Sequence, residues 1–118
     1  MGYNKEDYII ALTVNFLNQL SMKPPLPVYY RNEDKGSAST SKAAIVLNNT
    51  VMLMEVTEDN GKVESLINII FPNKESVILN LYEQGEVSVS YDEQESRRFY
   101  PRPGVIQTIE ILLEMVNQ

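Results

Sequence analysis

The sequence predicts an α+β fold: an antiparallel meander of about five strands flanked by an N-terminal and a C-terminal helix. Two observations carry this expectation. Turn residues punctuate a series of short apolar runs between Val51 and Tyr91, and apolar residues recur at helical spacing at both ends of the chain. The strongest single signal is Asn60-Gly61, because this pair tolerates positive φ at both corners of a type I′ hairpin. It separates the runs Val51 to Thr57 and Lys62 to Phe71.

The first helix is expected to begin at Asn4, a plausible N-cap, with Glu6 and Asp7 in the first turn where the helix dipole favours negative charge. Ile9, Leu12, Phe16 and Leu20 form a stripe that Ile10, Val14 and Leu17 widen beyond the needs of one sheet face. Two readings of that width are open, a well-buried helix or a face that packs against a second copy. The segment from Ser21 to Lys42 is expected to be the longest irregular stretch. Pro24, Pro25 and Pro27 forbid helix, Tyr29 and Tyr30 allow a short extended piece, and Arg31 to Lys42 is polar and small.

A first strand follows at Ala43 to Leu47, with Asn48-Asn49 preferred as a turn over a bulge. Pro72 to Glu75 closes the next corner, and Glu83-Gln84-Gly85 separates Val77 to Tyr82 from a last strand, Glu86 to Tyr91. Strand Val77 to Tyr82 has apolar residues on both faces, so both faces of the sheet need covering. Asp92 to Tyr100 is charged and irregular. Pro103 then leads into a helix whose stripe is Val105, Ile109, Leu112 and Val116, with Ile111 and Met115 as surplus. Residues 1–118 form a single domain with no internal repeat.

Composition narrows the function. A chain of 118 residues and 13.5 kDa is large enough for one core without staples, burying roughly two-thirds of its unfolded surface. Hydrophobic residues at 43% and charged residues at 22% are those of an ordinary folded protein. A net charge of −6 and a pI near 4.6 argue against general nucleic-acid or anionic-membrane binding and fit a partner protein with a basic surface. No apolar run reaches a membrane span, and a charged start without an apolar leader makes cytoplasmic location the expectation.

Cysteine and histidine are both missing. Thiolate chemistry, sulfur-ligated metals and every nucleophile that relies on imidazole are therefore excluded, and no cofactor is expected. Asp92, Glu93 and Glu95 are close enough in sequence to share a hard cation, or to be a solvated loop. Gly36 to Lys42 contains a glycine, hydroxyls and a lysine, but has neither the second glycine nor the following helix of a phosphate loop.

The basic residues are the remaining clue. Six of the ten lie in two segments, Arg31, Lys35 and Lys42 in one and Arg97, Arg98 and Arg102 in the other. If the two gather at one edge of the sheet, they form a basic rim interleaved with Tyr29, Tyr30, Phe99 and Tyr100, the residue types of an interaction hot spot or an anion pocket. The leading expectation is a non-enzymatic module that binds a partner protein as inhibitor, immunity-type protein or chaperone. The alternative is a binder of a phosphate- or nucleotide-bearing ligand at these loops. A homodimer is a further expectation, with Leu17 and Met115 on its helix faces.

Overall fold

The computed structural model describes residues 5–23, 29–36 and 38–116, with backbone alone over 29–35. Asn4, the expected cap, and the helix-breaking run Pro24 to Pro27 lie outside the described residues. The chain folds as helix α1 (Lys5–Met22), strands β1 (Tyr29–Lys35), β2 (Ala38–Leu47), β3 (Thr50–Asp59), β4 (Lys62–Ile70), β5 (Ser76–Leu81), β6 (Val87–Tyr91) and β7 (Gln94–Glu95), and helix α2 (Val105–Val116). All pairings are antiparallel and the spatial order is the chain order, β1 to β7. The α+β meander between two helices is thus the architecture, with two strands more than the expected five.

The additional strands correct two boundaries. Tyr29 to Lys42 is not irregular: β1 and the polar first half of β2 form a hairpin with Tyr29 opposite Ala44 and Lys35 opposite Ala38. This ladder lacks the apolar alternation that marks a half-buried strand. Its signal in the sequence is Gly36, followed by Ser37 in a pair of the type that joins hairpins, and Gly36 has φ +71. At the other end, Asp92 and Glu93 turn with φ 53 and 66 and return the chain as β7.

The expected corners form as the residue types dictate. Asn48 and Asn49 have φ 50 and 63, and Asn60 and Gly61 have φ 51 and 80, so both loops have positive φ at each central residue, as type I′ hairpins require. The two strands that follow each turn keep an uninterrupted register, from Val51 opposite Ile70 to Asp59 opposite Lys62.

Both helices pack on one face of the sheet, joined to it in a single core. Ala43, Ile45, Met52, Met54, Ile67, Ile69, Val77, Leu79, Val87 and Val89 point into that core and are buried. Helix α1 reaches β6, α2 reaches β2 and β3, and the helices touch one another. Contact with both sheet and helix explains the broad stripes. Leu17, expected on a dimer face, is 1% exposed within the core that both helices share with the sheet. Met115 is half-buried against the core, and the large apolar residue that α2 exposes is Ile111, at 58%. Thr13 and Thr108 sit among apolar residues because each hydroxyl donates to the carbonyl four residues back, Ile9 at 2.9 Å and Gly104 at 2.8 Å.

The expectation that both faces of the sheet are covered is therefore wrong for the described residues. Among them, the helices close one face and leave the other open.

Candidate functional site

Strand periodicity determines what the open face displays. Residues between the core-facing positions point outward, and the register aligns them in rows: Ala44, Leu53, Asn68, Ile78 and Ser90 across five strands, and Val46, Val51 and Ile70 beside them. Val46, Leu53, Leu66 and Ile78 are exposed, Leu53 at 41%, and Ala44, Val51 and Ile70 are half-buried. A depression of about 230 Å³ lies among Lys42, Ala43, Leu53, Met54, Glu55, Leu66 and Asn68. Clustered exposed aliphatic residues on one sheet face are the unusual feature, since single exposed leucines are ordinary.

This apolar surface ends at a polar corner formed by β5, β6 and β7. Asn80 donates from Nδ2 to Ser88 Oγ at 3.1 Å and to Ser90 Oγ at 2.8 Å. Ser88, fully buried, donates to Glu95 Oε1 at 2.7 Å, and the Tyr82 hydroxyl donates to the same carboxylate oxygen. The Arg98 guanidinium lies 3.6 Å from the centroid of the Tyr82 ring, a cation–π stack. Two hollows flank Tyr82. One, of about 280 Å³, opens between β4 and β5, and the other, of about 330 Å³, lies among Tyr82, Glu83, Gln84, Glu86 and Arg98.

Arg98 reaches this position through a bulge. Between the Ser90–Glu95 and Val87–Phe99 pairs, the edge segment advances four residues while β6 advances three. The extra residue is accommodated at Ser96, whose backbone N–H donates to Val89 O at 2.8 Å and whose Oγ accepts from Val89 N at 3.1 Å. Bulges of this type re-aim side chains at sheet edges. In the sequence Asn80, Tyr82, Ser88 and Ser96 signal only strand or loop and Glu95 only a possible cation ligand, because their cooperation depends on register between segments.

The basic rim does not form. β1 and β2 occupy one side of the sheet and the segment carrying Arg97, Arg98, Phe99, Tyr100 and Arg102 the other. Lys42 on β2 is five strand spacings from β7, about 24 Å, so a meander separates what the sequence reading joined. Tyr29, Tyr30, Arg31 and Lys35 belong to β1 by backbone pairing. Of the second group, Phe99 packs against the core, Tyr100 is exposed with its hydroxyl 3.5 Å from Glu86 Oε1, and Arg97 and Arg102 are exposed. Asp92 and Glu93 form an exposed turn while Glu95 faces Ser88, and no group of three acidic residues able to hold a metal ion occurs among the described residues.

A second polar constellation fastens the core side. Lys5 Nζ lies 2.9 Å from Glu75 Oε1, and the Tyr91 hydroxyl donates to Glu75 Oε2 at 2.8 Å. The hydrogen bond from Lys5, then that from Tyr91, holds the Glu75 carboxyl below its ordinary range. The same bond to Glu75 holds the Lys5 ammonium above the lysine range. This pins the start of α1 to the β4–β5 corner.

The class defined by these features is a small helix-backed antiparallel sheet with one open, largely apolar face. The chain matches no known family model, no curated protein and no solved structure. No helix among the described residues is long and apolar enough to cross a membrane.

Proposed function

We propose that this chain is a non-enzymatic protein-binding module that engages a partner through the open face of its sheet. The observation that supports this reading most directly is the cluster of Val46, Leu53, Leu66 and Ile78, all exposed on the face opposite the helices. Burying such aliphatic groups is favourable at about 25 cal/mol per Å², and large apolar patches rimmed by polar groups mark interaction sites. The polar corner adds a stacked Arg98–Tyr82 pair, residue types enriched where interfaces concentrate their energy. The net charge of −6 favours a basic partner and faster encounter with it.

We place the anionic-ligand alternative second. Lys42 stands apart from the three arginines, and the hollow beside Arg98 is lined by Glu83 and Glu86 as well, which repel a phosphate.

The test is native mass spectrometry of the chain purified from its own host, run in parallel with Leu53→Asp. A partner protein is expected on the unchanged chain and absent from the variant, with circular dichroism of the two alike. A bare chain in both spectra, or a partner equally retained by the variant, overturns the reading.

A further inference from the structure

The meander is split between β4 and β5. β4 pairs with β3 along its whole length, Lys62 to Ile70, but with β5 only from Ile67 to Ile70. β5 continues with β6 through the Leu81–Val87 pair and on to Tyr82, whose N–H donates to Glu86 O at 3.0 Å. Lys62 to Leu66 therefore has a strand on one side and, among the described residues, none on the other. The hollow of about 280 Å³ fills this split, lined by Ser65, Leu66, Ile78, Asn80 and Tyr82 among others.

The hairpin determines which backbone groups face the split. With Asn60-Gly61 as a two-residue loop, Asp59 and Lys62 form the closing hydrogen-bonded pair, and the alternation of an antiparallel ladder follows. Glu64 and Leu66 turn their N–H and C=O toward β3. Val63 and Ser65 turn theirs to the open side, in phase with Ile67, which pairs with Leu79. An interior strand thus presents an unpaired edge next to two exposed aliphatic side chains, Leu66 and Ile78.

From this edge we infer that the split accepts an extended, basic segment of a partner protein as an added strand. The inference rests on the protein-binding reading above and names the contact within it. Backbone pairing supplies the affinity in strand addition and alternate side-chain positions supply the selectivity. One face of the incoming segment lies beside Leu66 and Ile78, which calls for apolar residues at alternate positions. The rim is acidic: Glu58, Asp59 and Glu64 lie on the β3–β4 side and Glu83 and Glu86 beyond Tyr82. Of the nearby cations, Lys62 is tied to Glu64 at 3.2 Å and Arg98 is stacked on Tyr82. Lysine or arginine between the apolar positions points to the face of Glu58 and Val63, and the wider acidic rim attracts it electrostatically. A second copy fits less well, because two-fold pairing of Lys62–Leu66 with itself places Glu64 opposite Glu64, and like charges directly opposed are destabilising.

Amide hydrogen exchange on the full chain tests this, with a synthetic peptide of about eight residues alternating lysine and valine as probe. Addition of the peptide is expected to slow exchange at Val63 and Ser65, and the version with glutamate for lysine is expected to leave it unchanged. Ser65→Pro removes an N–H that faces the split and spares the ladder with β3, as proline does on edges. It is expected to retain the native circular dichroism and weaken the peptide by about tenfold or more. No protection with the lysine peptide, equal protection with both peptides, or undiminished binding by a folded Ser65→Pro chain overturns the inference. So does concentration-dependent protection of the same amides without peptide, which assigns the edge to a second copy. Loss of the host partner in Leu53→Asp is read independently, so the edge can fail while the open face stands.

Discussion

Glu75 shows how a single residue couples the folded state to pH. Its carboxylate accepts from Lys5 and Tyr91, and both bonds favour the charged form. A carboxyl held below its unfolded value contributes stability that is fully present above the unfolded pKa and is lost as pH falls through the folded one. Glu75→Gln is therefore expected to lower the urea midpoint at pH 7 while matching the unchanged chain once the medium is acidic enough to protonate Glu75. Midpoints measured from pH 7 down to pH 2.5 check this, and a gap that persists undiminished across the range refutes it. Leu17 is the second residue with a sharp consequence. Because it lies in the core, Leu17→Asp buries an unpaired carboxyl and is expected to cost about 4 kcal/mol or more. A folded chain with a changed mass in sedimentation is the outcome that restores the helix-face dimer.

At the scale of elements, the turns carry local information and the ladders carry the rest. Gly61 has φ +80 and nothing within 4 Å of where a Cβ would stand, so its requirement is purely conformational. Gly61→Ala is expected to destabilise by about 1 to 2 kcal/mol, with the same urea m-value, as measured by denaturant titration. Both helices were legible from their periodicity because each buries a stripe, and all of Val105, Ile109, Leu112 and Val116 are buried. β1 and the first half of β2 were not, because Arg31 to Lys42 has no apolar alternation to read. That hairpin is organised by backbone pairing, and across β2 and β3 by contacts such as Thr40 Oγ1 to Thr57 Oγ1 at 3.3 Å.

For the molecule as a whole, the asymmetry of the sheet is the main consequence. Two helices on one face leave Val46, Leu53, Leu66 and Ile78 outside, a surface that lowers solubility unless it is covered. Leu53→Asp, besides releasing a partner, is expected to change thermal stability by less than about 1 kcal/mol, since the side chain is nearly half exposed. It is also expected to raise the protein concentration at which light scattering begins. A large loss of stability in thermal unfolding contradicts the placement of Leu53 on an open face.

The residues themselves dictated the local features: where the chain turns, because Asn-Gly and Asn-Asn tolerate positive φ; where it coils, because apolar residues recur every three to four positions; and which reactions lack their side chains, because histidine and cysteine do not occur. Assembly decided how distant segments meet. A meander carries its first and last strands to opposite edges, so Lys42 and Arg98 separate although both lie in polar, basic stretches. Packing in the core that the helices and the sheet share takes Leu17 out of solvent, and the early end of the β4–β5 ladder leaves Val63 and Ser65 facing a split. Each of these depends on pairings between segments far apart in the chain, and register and packing are properties of two surfaces at once.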